Sequence, residues 1–253
     1  MSGAIQHGTF SLLLLPMLVF SQPAKGETVE VVSMVLGDGL QLADHSGFYG
    51  EIITEVLDKS GTSSNSAVYP FKRALKVFFS AEADCIWGLD TEFLKKFRDD
   101  PGDLIQSSLV LNSQQCLFSI PGHAKISSMN GLSGMAVGVL NGANTEKMFK
   151  KFAAQVVKLR NQEAKFDMLL AGRVDAIGGW IPDIYITMKT LGIDSQKIEP
   201  LFPLSSSGVR IVCRESPETK AFLEATNVAI ADFIEAEKYS DIRSEYGIPL
   251  NVK

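Results

Sequence analysis

A tryptophan set directly after two glycines at the end of a short apolar strand, Val174 to Gly178-Gly179-Trp180, offers a flat ring and one N–H donor beside bare backbone. Such a ring favours stacking on a planar, aromatic or cationic solute. Asp183 follows three residues later as the nearest carboxylate in the sequence. Asn141-Gly142-Ala143-Asn144-Thr145 lies between a strand and a helix, where Asn144 or Thr145 caps the helix while exposed amides can receive an anion. Asp38, in the glycine loop Gly37-Asp38-Gly39, reads as a polar contact or as a turn former. Acid–base chemistry finds less support, because Asp38, Asp90 and Asp183 have no recognisable pair spacing and His45 and His123 both fall in loops. Cys85, Cys116 and Cys213 are widely separated with no CxxC pair, so metal-site spacing is absent and no metal or other cofactor is expected. In an oxidising compartment two of the three can pair, and the odd count leaves at least one thiol over. Which two is open.

The elements that must position these residues alternate. Val29 to Leu36 reads as a strand, Glu51 to Lys59 as an amphipathic helix, Ala67 to Tyr69 as a strand, Pro70 onward as a second helix with proline in its first turn, and Asp84 to Gly88 as a third strand. That is a βαβαβ unit with a parallel sheet. Asp90 to Asp100 reads as an exposed helix, and Leu104 to Leu111 and Gln115 to Ile120 as strands. A second α/β unit runs from Met135 to about Phe202 through helices at Glu146 to Phe152, Gln162 to Leu170 and within Pro182 to Leu191. A returning strand, Gly208 to Arg214, precedes helices Pro217 to Glu237 and Lys238 to Tyr246. Two α/β units and a returning strand imply two lobes joined by two crossing strands, near Leu111 to Gln115 and Ser205 to Gly208. The expected division is residues 27–112 with 207–253 in the first lobe and 113–206 in the second.

Composition narrows the class. The 253 residues are 45% hydrophobic and 21% charged with a net charge of −5, enough for a large core and without a basic cluster that would bind nucleic acid or an anionic membrane. Phe10 to Phe20, FSLLLLPMLVF, is too short to span a bilayer and fits the apolar region of a secretory signal, with Ala24 and Gly26 as the small residues before cleavage. Residues 1–26 are therefore expected to be a leader, although only His7 supplies any basic character ahead of the apolar run.

Several passages, in order along the mature chain, carry a resemblance. Gly47-Phe48 before a helix, Pro70-Phe71-Lys72-Arg73-Ala74-Leu75 with Glu82-Ala83-Asp84, Leu132-Ser133-Gly134-Met135-Ala136-Val137-Gly138-Val139, Ala171-Gly172-Arg173-Val174-Asp175-Ala176, Asn227, and Lys238-Tyr239 to Tyr246-Gly247 are similar to the pattern of the bacterial extracellular solute-binding protein family 3. The resemblance implies an α/β, two-lobed type 2 periplasmic-binding-protein fold, each lobe a mainly parallel sheet flanked by helices. It also implies a monomeric, non-enzymatic periplasmic protein that closes on a small polar solute and serves an inner-membrane ABC-type transporter permease. An enzyme of dehydratase type on the same scaffold, or a periplasmic sensor acting in trans, are the alternatives.

By the same resemblance, Tyr69 stands where relatives place a stacking ring, Trp87 and Gly88 where they place ligand-binding backbone after the third strand, and Thr145 where a hydroxyl meets a ligand carboxylate. Trp180 departs from the pattern. Amino-acid-binding relatives carry an aspartate at about this place to neutralise the ligand's α-ammonium, and Asp183 would have to reach the cleft to replace it. An ordinary α-amino acid is therefore in doubt as the ligand.

Overall fold

The computed structural model describes residues 28–123, 126–141 and 145–248. The expected leader with its cleavage point near Gly26, and Asn144, lie outside the described residues.

Strand β1 (Val29–Val35) is apolar at nearly every position because both of its faces are covered. Val29 and Val31 pack toward helix α1 (Phe48–Ser60), while Val32 and Met34 pack toward the far side of the sheet. There, after strand β2 (Ser64–Pro70), helix α2 (Phe71–Phe79) lays down Ala74, Leu75 and Phe78. Strands β2 and β3 (Cys85–Leu89) both run parallel to β1. Helix α3 (Thr91–Leu94) is a single turn where the sequence predicts a helix to Asp100. The Asp90 carboxylate caps it, and the chain then tightens into i to i+3 bonds from Lys96 to Phe93 and from Phe97 to Leu94. Phe93 and Phe97 both pack against the α2-side core.

Strand β4 (Leu104–Gln106) is followed by β5 (Leu111–Ser119) and by the second unit: β6 (Ala136–Leu140), α4 (Thr145–Lys150), β7 (Gln155–Leu159), α5 (Gln162–Leu170), β8 (Ala176–Ile181) and α6 (Asp183–Thr190). Strands β6, β7 and β8 are parallel, and β5 runs antiparallel to β8. Two strands expected near Ile198 to Phe202 and Gly208 to Arg214 are one continuous strand, β9 (Glu199–Arg214). It persists through Pro200 and Pro203 because two register shifts against β5 leave Leu201 and Leu204 as extra residues beside those prolines, which cannot donate to a ladder. Helix α7 (Pro217–Ile234) starts at a Ser216–Thr219 capping box with proline in the first turn, and α8 (Glu237–Glu245) follows.

The strand order is β2-β1-β3-β9-β5-β8-β6-β7, with β4 also on β9. One half of β9 pairs with β3 and β4 and the other with β5, so β5 and β9 are the strands that carry the chain between the two parallel units. Helix α6 follows β8 of the second unit, yet Ile186 is fully buried in the core cluster of Phe48, Ile52 and Trp87. Lys189 also donates to the carbonyl of Ser244, 3.4 Å away, and to that of Glu245. The first unit thus receives α6 as well as the crossing strands.

Of the two glycines before Trp180, Gly179 is required by packing, whereas a side chain at Gly178 would make only an ordinary contact. A Cβ on Gly178 would lie 3.4 Å from the Phe149 ring, and one on Gly179 would lie 2.4 Å from Ile184 Cδ1. Ile184 is itself buried. Gly179→Ala is therefore expected to cost about 1–3 kcal/mol through overpacking, read from urea unfolding. A cost near zero would mean that Ile184 has free space to move into.

Candidate ligand site

The carboxyl ends of β3 and β8 bring two rings together. Trp180, half-buried, meets Phe93 edge to face with centroids 5.8 Å apart and an interplanar angle of 77°. Phe93 also contacts Phe97 at 5.4 Å, and the Lys96 ammonium sits 4.9 Å from the centroid of the Phe93 ring. Trp180 comes from the second unit and Phe93 from the first, so this aromatic pair spans the gap between them.

Asp90 fixes the first-unit side. Its carboxylate accepts from the Phe93 amide (2.7 Å), the Ser207 hydroxyl (3.0 Å) and the Gly208 amide (2.6 Å), which ties the base of α3 to the crossing strand β9. Gly88 supplies the geometry that lets it do so. With φ of +94° it is the extra residue of a bulge between Trp87 and Leu89 on the β9 ladder, and that bulge turns the chain toward Asp90.

Trp87 does not form a wall of the site, contrary to the expectation. Its side chain is fully buried in the core, where Nε1–H donates to the Tyr49 carbonyl at 3.1 Å. A strand covered by helices on both faces leaves no route for that ring to reach solvent. Tyr69 likewise packs with the α2-side core, under the Arg73 guanidinium at 4.5 Å, and lines a cavity of about 340 Å³ with Arg73, Lys76, Val77 and Glu82. Phe93 and Phe97 pack against the same core cluster. Asp38 is exposed in the turn between Gly37 and Gln41. Thr145 is the first residue of α4 and buried.

Asp183 opens α6 and accepts a hydrogen bond from the Tyr49 hydroxyl at 2.6 Å, a bond between helices of the two units. Lys165 lies behind it on α5, 2% exposed, and donates to the Gly178 carbonyl at 2.7 Å. Burial pushes Asp183 up to about 6, opposed by the Tyr49 hydroxyl and by the Lys165 charge. The same burial brings Lys165 down to about 8, partly offset by Asp183. Asp183 thus has the Tyr49 hydroxyl as its hydrogen-bond donor and the Lys165 charge behind it.

This arrangement fixes a sign. Between the ordinary value of 3.8 and about 6 the folded chain keeps a proton on Asp183 that the unfolded chain has released. Stability therefore falls as pH rises through that window. Asp183→Asn is expected to remove this part of the slope, measured as the difference in unfolding free energy between wild type and variant at pH 4 and pH 6.5. Parallel profiles for the two proteins would contradict the assignment.

Phe93, Tyr49 and Lys165 are not singled out by the sequence. Phe93 and Phe97 at i, i+4 in an otherwise charged stretch were the available signal for the first. No local pattern marks Lys165, since a lysine beside apolar helix positions reads as a surface residue until the opposing sheet is in place.

No protein-family profile and no curated protein matches the sequence. Among solved structures, the chain is similar to the GluR0 ligand-binding core from Nostoc punctiforme in complex with L-glutamate, with a TM-score of 0.66 at 16% identity over 87% of this chain and 100% of that one. An ancestral arginine-binding protein bound to glutamine superposes with a TM-score of 0.61 at 20% identity, over 87% and 97% of the two chains. The second substrate-binding domain of Lactococcus lactis GlnP, in an open conformation, gives 0.59 at 18%, over 89% and 97%. The two-lobed architecture is shared with these proteins over nearly their whole length.

Proposed function

We propose that this chain, which has the type 2 periplasmic-binding-protein fold, is a non-catalytic binding protein that closes its two lobes on a small solute held at the lobe junction beside Trp180 and Phe93. The observation that carries the reading is the ring contact across the two units, 5.8 Å between centroids, at the carboxyl ends of their parallel strands. A solute that touches both rings gains contacts only when the lobes approach, so it shifts the population toward the closed form. Binding is favoured over catalysis because the three acids weighed in the sequence form no catalytic pair: Asp90 is held by three protein donors, Asp183 is bonded to Tyr49, and Asp38 is an exposed turn residue.

The lobes divide near residues 112 and 207, with β5 and β9 as hinge strands and α6 bridging the boundary. The protein acts in the periplasm as a monomer and passes its solute to an ABC-type inner-membrane permease. Three things support that placing. The arginine-binding and GlnP neighbours share its architecture, a Cys85–Cys213 disulfide suits an oxidising compartment, and no described helix is long and apolar enough to cross a membrane. A thermal-shift screen of amino acids, amines and small organic acids on the purified protein tests the reading. At least one solute is expected to raise the melting temperature in a saturable way, and failure of every class to do so would overturn it.

A further inference from the structure

The first unit holds a cavity of about 340 Å³ whose walls include neither Phe93 nor Trp180. Tyr69, near the end of β2, lines it together with Arg73, Lys76 and Val77 of α2 and Glu82 from the turn that follows. Arg73, Lys76 and Val77 share one side of the helix through their i, i+3 and i+4 spacing. The volume falls in the range of small-molecule sites, about 300–1,000 Å³. Its donors are unspent. The Arg73 guanidinium lies 4.5 Å from the Tyr69 ring centroid, and among the described residues it has neither a carboxylate within ion-pair distance nor a hydrogen-bond acceptor. The ring attracts the charge without taking a lone-pair hydrogen bond from the five N–H groups. The Lys76 ammonium and the Tyr69 hydroxyl also lack a hydrogen-bond partner among the described residues. Glu82, the one acid of the lining, accepts from the Ser80 hydroxyl at 2.7 Å.

We propose that this cavity is a second binding site, for a small oxyanion of the phosphate or carboxylate class, held by Arg73 and Lys76 with the Tyr69 hydroxyl as a further donor. A guanidinium matches two oxygens of such a group at once, and the ammonium acts beside it as a point charge. Two cations against one acid leave the lining with positive charge in excess, so affinity rises with the negative charge of the ligand and a cation is excluded. Every lining residue belongs to the first unit, so the site needs no approach of the lobes. It therefore stands or falls apart from the solute at the lobe junction.

Calorimetric titration of the purified protein, in Tris chloride of low ionic strength, with inorganic phosphate, succinate, acetate and ethylamine tests the inference. Phosphate or succinate is expected to bind saturably and more tightly than acetate, ethylamine is expected not to bind, and the tighter of the two dianions identifies the group recognised. Arg73→Gln and Lys76→Gln, both changes at exposed side chains, are each expected to weaken that dianion about tenfold, the scale of one charge-assisted hydrogen bond. Arg73→Lys should weaken it less than Arg73→Gln, and Lys150→Gln, on the second unit, should leave it within about twofold. Failure of both dianions to bind, tighter binding of ethylamine, or an affinity indifferent to both glutamine variants would overturn the site. Competition between the dianion and a solute from the thermal-shift screen would overturn its separateness by placing the anion at the lobe junction. Dianion binding with a failed solute screen would keep this site and remove the closure reading, and the reverse result would do the opposite.

Discussion

Replacement of Cys85 and Cys213 together by alanine is expected to lower the unfolding free energy by about 5 kcal/mol, the largest effect of any change considered for this chain. The two residues face each other on antiparallel β3 and β9, are fully buried, and form a disulfide across a sequence separation of 128. Closing so long a loop in the unfolded chain removes entropy worth about 5 kcal/mol, with measured values for native disulfides commonly 2–5 kcal/mol. The loop contains all of the second unit, which is in effect an insertion into the first. The bond staples the returning strand to the first lobe while leaving the β5–β9 crossing free to bend. Cys116 is the unpaired thiol, buried in β5, and desolvation pushes it up to about 11, so it remains a thiol at neutral pH. Equilibrium unfolding in urea with and without reductant checks this: the wild type should fall to the level of the double variant on reduction. Equal stability of the oxidised wild type and the variant would show that the bond contributes nothing.

Trp180→Ala is expected to weaken solute binding by about 30-fold or more, the scale of losing a central aromatic anchor of about 2 kcal/mol. Its effect on folding should be smaller, because the ring is half-buried and Phe93 keeps its contact with Phe97. Titration of the best ligand from the screen into wild type and variant separates the two effects, since unfolding curves report the second. Stabilisation by ordinary α-amino acids that survives Trp180→Ala would contradict the placing of Trp180 at the ligand.

Much of the fold is legible in the sequence because both units announce themselves by period. The Gln162–Leu170 helix stands as expected, and β1 and β3 lie within a residue of their expected bounds. What is not legible depends on contacts between distant segments. A proline-containing stretch reads as a break, and only the opposing β5 ladder reveals that β9 absorbs Pro200 and Pro203 by bulging. Trp87 reads as a strand-end ring, and only the packing of α1 on the sheet shows that it is core. The same limit applies at the site. Trp180 is marked by its local context, whereas Phe93 becomes relevant only because Asp90 holds its one-turn helix against β9. Asp183 is three residues from Trp180 in sequence, yet its hydrogen bond runs to Tyr49, 134 positions away.

Closure on a solute is the claim on which the functional reading stands. Small-angle scattering of the protein, alone and with a saturating amount of a solute that raises its melting temperature, tests it most directly. The bound protein is expected to have a smaller radius of gyration than the free one, with the change lost in Trp180→Ala at the same solute concentration. Saturable binding with an unchanged radius of gyration, starting from a free protein shown to be open, would contradict the account.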